Sequence, residues 1–212
     1  MSDLRRYMES SFVFRQLKEY DHIDYDNLVK ISELIYDTDP YIYPCMFRNK
    51  DDALRILPMV LQQRDDQMFR FNNFYIAEYE DTIIGLILWC KGPLDWDARS
   101  LHEQAVSAGV PLSPYLPIVQ AQYFESYKDF PADVISLINV CVDQQFRSRG
   151  VGNHLLQAFI SEHDDEKMEL YVLADNHPAK KVYNSNGFKI IRTIQGFSSD
   201  NRELPCLQME RS

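Results

Sequence analysis

The sequence predicts a protein of the α/β class, in which a central sheet packs against helices. Three observations support this. Stretches with the period of strands alternate with stretches of helical period between Phe12 and Met209. The stretch Ile135–Ile160 holds an apolar strand, a glycine-bearing loop and an amphipathic helix in direct succession. The composition, 45% hydrophobic and 25% charged over 212 residues, is typical of one globular domain with a substantial core.

The first 91 residues predict three strands and two helices. The strands are Phe12–Leu17, Asn73–Tyr79 and Ile83–Trp89, and the last two are joined by a short turn at residues 80–82. The first helix is Asp24–Thr38, capped by Asp24 or Asp26. The second is Asp51–Arg64. Pro58 lies inside it and should either kink the helix or mark its true start. Between the helices, Asp39–Phe47 is predicted to be a loop rich in Tyr and Phe. It either lines a pocket or serves as a plain hydrophobic contact fixed by prolines.

The later part of the chain begins with an unusually long connection, Gly92–Asp133, predicted to be an insertion within the single domain 1–212. It contains a helix at Asp97–Ala108, followed by prolines and aromatic residues, and it forms either a lid or an oligomer surface. The remaining elements are a strand at Ser136–Val142, a helix from about Val151, a strand at Leu170–Ala174, a helix from Pro178 to Gly187, a strand at Phe188–Ile194, a polar turn at Gln195–Glu203 and a closing strand at Leu204–Met209.

Charge and apolar patterning exclude several classes of protein. The net charge of −10 argues against general binding to nucleic-acid phosphates and slightly favours a cationic substrate. The N-terminal sequence lacks the apolar core of a signal peptide, and the run Ile83–Cys90 is too short to span a bilayer, so we expect a cytoplasmic protein that does not bind membranes. The four cysteines are scattered without zinc spacing. We therefore expect no metal site. Because Cys90, Cys141 and Cys206 lie in apolar, strand-like runs, we expect them to be buried free thiols.

The loop between the apolar strand Ser136–Val142 and the helix that follows it has the features of an anion-binding site. The first backbone N–H groups of a helix lack internal partners, and the helix dipole places partial positive charge there. Gly150 and Gly152 let the backbone approach a ligand closely, while Arg147 and Arg149 add donors that match phosphate. Taken alone, this pattern is better explained by an ordinary turn that carries solvated arginines.

A second motif downstream changes the interpretation. Residues 147–152 fit the pattern [Q/R]-x-x-G-x-[G/A], and Asn176, Ala179, Tyr183, Gly187 and Phe188 occupy the fixed positions of N-x-x-A-x-x-x-Y-x-x-x-G-F. With both motifs, the chain resembles the GNAT superfamily of acyl-CoA-dependent N-acyltransferases from about Ser136 to Phe188. The resemblance implies a mixed, twisted sheet of six to seven strands flanked by helices and splayed at the motif strand. It also implies a possible homodimer.

The resemblance assigns the binding of the donor, acetyl-CoA, to nine positions. The loop residues Arg147, Ser148, Arg149, Gly150, Val151 and Gly152 would hold its pyrophosphate, and the backbone of Cys141 and Val142 its pantetheine arm. Asn176 matches a position that contacts the pantetheine or phosphate region, although a helix cap or turn residue explains it nearly as well. The family often has proline where Gln144 stands, a departure that should reduce local rigidity.

The implied activity is transfer of an acetyl group to a primary amine of a small molecule or peptide by direct attack. By resemblance, Tyr183 would act as the general acid toward the departing thiolate; the alternative is a packed helix tyrosine. No general base is evident, because the available carboxylates, Glu103, Glu125, Asp129, Asp133 and Asp143, are expected to be solvated. His154 is expected to lie on the surface. The rival interpretation is a non-catalytic module that binds acyl-CoA or a partner on the same fold.

Overall fold

The computed structural model describes residues 12–197 and 204–212. Its strands are β1 Phe12–Gln16, β2 Phe74–Tyr79, β3 Thr82–Lys91, β4 Val134–Val142, β5 Lys167–Leu173, β6 Lys189–Gln195 and β7 Pro205–Arg211. Its helices are α1 Tyr25–Tyr36, α2 Ile42–Met46, α3 Lys50–Gln63, α4 Arg99–Ala108, α5 Leu116–Gln122, α6 Val151–Glu162 and α7 His177–Ser185. Short 3-10 turns occur at Phe71–Asn73, Phe124–Tyr127 and Gln144–Phe146.

The seven described strands form one mixed sheet in the order β1-β2-β3-β4-β5-β7-β6. Only the central pair β4–β5 is parallel within this sheet, and α6 crosses between these two strands. The hairpin of β2 and β3 turns at Glu80 and Asp81, whose positive φ angles of 49° and 63° suit the tight turns that join twisted strands. The predicted mixed α/β sheet is therefore confirmed.

Helices cover both faces of the sheet. Leu155 and Phe159 of α6 and Tyr183 of α7 pack on one face against residues such as Ile87 and Leu170. Helices α1 to α5 cover the other face, and their buried side chains join one larger apolar core, with representative members Ile31, Ile56, Leu101 and Val119 against Leu86. Each helix contributes an apolar stripe with the period that the sequence displays.

Local sequence explains where the helices begin. The side chain of Asp24 accepts a hydrogen bond from the N–H of Asn27 at 2.7 Å, which makes Asp24 the cap of α1. Asn49 caps α3 in the same way, so this helix begins at Lys50 and Pro58 lies inside it. The prediction that Pro58 marks a start is therefore wrong. The predicted loop Asp39–Phe47 also needs correction, because it contains the short helix α2.

Residues 92–133 pack onto the helical layer formed by α1, α2 and α3. A guanidinium nitrogen of Arg55 on α3 donates to the backbone oxygen of Ala108 at 2.9 Å, and the N–H of Ser113 donates to the oxygen of Met46 on α2 at 3.2 Å. The segment brings Gln122, Tyr123 and Tyr127 to a cavity beside β4. The predicted turn Gln195–Glu203 lies partly outside the described residues, since residues 198–203 are not described.

Candidate active site

An opening between β4 and β5 is the main structural feature at the centre of the sheet. The two strands pair from Val134 opposite Lys167 to Leu137 opposite Leu170, and beyond that point they separate. The register between β3 and β4 shifts at the same place, because Leu88 faces Asn139 whereas Trp89 faces Leu137. The extra residue, Ile138, forms a bulge that turns β4 away from β5.

The separation leaves one edge of β4 open from Ile138 to Val142. Strand β5 beyond Leu170 continues its ladder with β7 on its other side. Backbone N–H and C=O groups on an open edge can bond to an extended ligand, as in strand addition. Cys141 and Val142, the two predicted pantetheine contacts, lie on this edge.

A cavity of about 290 Å³ lies within the opening. Its walls come from five parts of the chain: the α1–α2 connection with the start of α2, the end of α5 and the turn after it, β4, β5 with α7, and β6 with the residues after it and Cys206 of β7. Lining a pocket was one of two predictions for the segment Asp39–Phe47, but much of the wall comes from residues that received no individual role in the sequence interpretation. They are Asp39, Tyr43, Tyr123, Tyr127, Asn139, Tyr171 and Arg192.

The loop at residues 147–152 connects the open end of β4 to α6. Ser148 and Gly150 have positive φ angles of 61° and 86°, which turn the chain sharply before the helix begins at Val151. No side chain caps α6, because the capping position is Gly150. The first N–H groups of α6 therefore suit an anion from outside the loop. The side chain of Val151 is buried in the core, so only its backbone can contact a ligand.

The two loop arginines have different environments. The Nε of Arg147 donates to the backbone oxygen of Val142 at 2.9 Å, which connects the loop to the open strand edge. The guanidinium of Arg149 lies 5.3 Å from the centre of the Phe146 ring. Both side chains are exposed, and each adds positive charge close to the start of α6. Gln144, at the family's proline position, begins a 3-10 turn.

Tyr183 is buried on α7 and lines the cavity. Burial, together with the nearby Cys141 thiol, raises the pKa of its phenol above the ordinary value. The hydroxyl is therefore protonated at neutral pH, which a proton donor requires. Asn176 has a structural role at the start of the same helix, because its side chain accepts from the N–H of Ala179 at 3.2 Å. Asn176 also borders the cavity.

The carboxylates considered as bases are not at the cavity. Glu103, Glu125, Asp129 and Asp133 are exposed, and they do not belong to the cavity wall that the described residues form. Asp143 forms an ion pair with Lys30. Partial burial acts to raise the pKa of Asp143, but hydrogen bonds from Lys30 and from the N–H of Gln145 lower it overall. A carboxylate with a lowered pKa is a poor base.

Asp39 is the carboxylate that the sequence interpretation missed. It borders both the cavity and a second, open groove of about 850 Å³ between α1 and the end of β4. Burial raises the pKa of Asp39 although two backbone N–H groups donate to the carboxylate. In the sequence, this residue looks like an ordinary turn aspartate before Pro40, so nothing local marks it.

Two expectations concern absent features. Within residues 12–197 and 204–212, no group of three or more His, Cys, Asp or Glu side chains is placed to hold a metal ion. None of the helices in the described part is both long and apolar enough to cross a membrane. The four cysteines are buried free thiols, which confirms the prediction for Cys90, Cys141 and Cys206.

Comparison with known proteins identifies the family. A profile described as "Acetyltransferase (GNAT) family" matches residues 43–188, which is more than half of the chain. The chain belongs to the GNAT acetyltransferase family. The match includes β4, the loop at residues 147–152 and α7, so the resemblance inferred from the two motifs is confirmed.

Individual relatives are distant. Over 68 residues the chain is 37% identical to an L-amino acid N-acetyltransferase, AaaT, of Escherichia coli; the match covers 30% of this chain and 42% of that protein. The chain thus spans less than half the length of this curated relative. An N-acetyltransferase from Staphylococcus aureus Mu50 has the same fold, with a TM-score of 0.63 and 16% identity over 93% of this chain and 99% of that one. Naa50 of Arabidopsis thaliana, solved with the bisubstrate analogue CoA-Ac-MVNAL, gives a TM-score of 0.52 and 16% identity over 95% and 99%.

Proposed function

We propose that the protein transfers the acetyl group of acetyl-CoA to a primary amine of a small molecule or peptide by direct attack. The observation that carries this proposal is the coincidence of the β4–β5 opening, the uncapped start of α6 and a cavity that Tyr183 borders. Family membership supports N-acetyltransferase activity in general. The residues present fit acetyl-CoA, because an open strand edge leads directly from the cavity to an anion-binding loop.

Each part of the site has a separate task. When bound, acetyl-CoA supplies an acetyl group activated as a thioester. The N–H groups at the start of α6 and the arginines at 147 and 149 bind the pyrophosphate, while the backbone of Cys141 and Val142 orients the pantetheine arm. The opening then directs the thioester into the cavity, toward Tyr183.

The bond changes follow from this arrangement. The acceptor ammonium first loses a proton to solvent, and its nitrogen then forms a bond to the thioester carbonyl carbon. The carbon–sulfur bond breaks with its electron pair on sulfur, and the hydroxyl of Tyr183 donates a proton to that sulfur. The second proton lost by the nitrogen restores Tyr183. Overall, acetyl-CoA and an ammonium give an acetamide, free CoA thiol and one proton.

The cavity favours a small acceptor. Its volume of about 290 Å³ is at the lower end of the range for small-molecule pockets. An amino acid is the first acceptor to test, because Arg192 borders the same cavity as Asp39 and offers a partner for a carboxylate. The distant relative AaaT is named as an L-amino acid N-acetyltransferase, which also supports testing an amino acid first. A homodimer and a cytoplasmic location remain predictions from sequence.

The proposal is tested by calorimetric titration with acetyl-CoA and desulfo-CoA, followed by measurement of thiol release with a panel of amines and amino acids. We expect micromolar donor binding and thiol release that depends on the acceptor. Donor binding without thiol release for any acceptor would favour the non-catalytic module. Absence of donor binding would contradict the enzyme proposal and would favour a module that binds a partner on the same fold.

A further inference from the structure

Asp39 lies where the cavity meets the open groove beside α1. It follows α1, precedes α2 and borders both the cavity and the open groove beside α1. Acidic side chains outnumber basic ones in the groove wall, with Glu33, Asp37, Asp39 and Asp143 against Lys30 and Arg147. The acidic excess around Asp39 therefore favours a cationic ligand at this point over an anionic one.

The carboxylate of Asp39 is held in place but only half satisfied. Its Oδ1 accepts from the N–H groups of Tyr41 and Ile42, both at 2.7 Å. Its Oδ2 has no hydrogen-bond partner, and Asp39 has no ion-pair partner, among the residues that the structure describes. A partly buried carboxylate without a cationic partner is unusual, because burial of an unpaired charge is costly.

Asp66 provides an internal comparison. Its Oδ1 also accepts from two backbone N–H groups, those of Met68 and Phe69, both at 2.8 Å. Its Oδ2, however, accepts from the indole nitrogen of Trp96 at 3.3 Å. The same local turn thus occurs twice, and only at the cavity is the second oxygen left open to a ligand.

The surroundings of Asp39 suit an ammonium group. The titratable groups that face it are Tyr43 of α2, Tyr123 after α5 and Cys206 of β7. Burial is the main cause that raises the pKa of each group, and the negative charge of Asp39 raises it further. Arg192 borders the same cavity, but its Nε donates to Gln208. Aromatic rings next to a carboxylate attract a cation through both the ring faces and the charge.

We propose that Asp39 binds the primary ammonium group of the acceptor and thereby selects amines that are cationic at neutral pH. This assignment rests on the proposed acetyltransferase function. Asp39 acts in recognition and not as the base, because the reference pKa values of Asp and an alkylamine such as Lys differ by about 6 units. A proton transfer that is so unfavourable would contribute little to the rate.

The test compares Asp39→Asn with wild type, using two acceptors that share an aromatic ring: benzylamine, a cation at pH 7, and aniline, neutral at pH 7. Asn keeps the oxygen that accepts from Tyr41 and Ile42, so the turn is preserved. We expect KM for benzylamine to rise about 10- to 100-fold, as for loss of a hydrogen bond to a charged group. We expect kcat, the aniline kinetics and the affinity for acetyl-CoA to stay within about 3-fold.

The matched control is Asp24→Asn at the other end of α1. It removes the same charge from an exposed cap, where Asn serves as well as Asp. All kinetic constants of this variant should equal those of wild type. In wild type, KM for benzylamine should also rise as the pH falls through the pKa of Asp39, whereas Asp39→Asn should show no such rise.

Different results identify different failures. An unchanged KM for benzylamine in Asp39→Asn, or an equal loss of kcat for both acceptors, would overturn the assignment while the acetyltransferase function stands. Loss of acetyl-CoA affinity would show a structural role and would also overturn it. A wild-type protein that releases no thiol with any amine would overturn the proposed function itself.

Discussion

Two helix starts lie on either side of the β4–β5 opening, and they are built differently. Helix α7 follows β5 and is capped by the side chain of Asn176. Helix α6 follows β4, and its capping position is a glycine that offers no side chain. Both helices start near the opening, but only α6 leaves its first N–H groups for a ligand. The anion site at the start of α6 therefore exists because the helix has no side-chain cap, whereas the capped start of α7 stabilises that helix.

The largest loss of acetyl-CoA binding is expected when a negatively charged side chain is placed at the start of α6. Gly150→Glu should weaken acetyl-CoA binding by about 100-fold or more, because a carboxylate would occupy and repel the pyrophosphate position. Calorimetric titration measures this. Gly109→Glu is the control, since Gly109 also has a positive φ of 63° and an added Cβ there meets nothing within 4 Å. Equal losses in both variants would show that backbone strain, and not the anion site, is responsible.

The second-largest effect is expected for Tyr183, which lies within α7 and lines the cavity. Tyr183→Phe removes the hydroxyl of a residue that lines the cavity and should lower kcat about 100-fold, with unchanged acetyl-CoA affinity. The rate should be measured by thiol release. Tyr75→Phe is the control, because Tyr75 is buried on the sheet away from the cavity wall and its hydroxyl contacts Glu162. If kcat of Tyr183→Phe remains within about 3-fold of wild type, solvent supplies the proton.

A smaller effect is expected when the cap of α7 is removed. Asn176→Ala should lower the free energy of unfolding by about 1 kcal/mol, because the N–H of Ala179 loses its partner. Urea denaturation measures this, and Asn184→Ala, an exposed change later in the same helix, should not destabilise. Acetyl-CoA affinity should change by less than about 3-fold. A loss of affinity as large as that of Gly150→Glu would mean that both helix starts bind the donor.

The smallest effect concerns strain in the loop before α6. Ser148 has a φ of 61°, a conformation that glycine adopts at little cost. Ser148→Gly should raise the free energy of unfolding by about 0.5 to 1 kcal/mol, whereas Ser148→Ala, which keeps the strain, should not. Both variants should bind acetyl-CoA normally if the backbone N–H groups carry the binding. Weaker binding in both would instead assign a direct contact to the Ser148 hydroxyl.

The two sides of the site differ in how far sequence could predict them. The donor side depends on one continuous segment, residues 135–160, in which a buried strand, two glycines and an amphipathic helix are local features. The acceptor side is assembled from five segments, and Asp39 and Arg192 are 153 residues apart in the chain. Tertiary packing brings these two residues to the same cavity, and the local hydrophobic periodicity of the sequence carries no information about it. The family resemblance implied a splayed motif strand, but local sequence does not place the bulge at Ile138, because a bulge arises from pairing between strands.

The most direct test of the account is a crystal structure of the protein with CoA. We predict the pyrophosphate within hydrogen-bond distance of the N–H groups at the start of α6, and the pantetheine arm beside Ile138–Val142 in the opening between β4 and β5. A pyrophosphate at the start of α7, or a pantetheine arm outside the opening, would contradict the assignment of the uncapped helix start as the donor site.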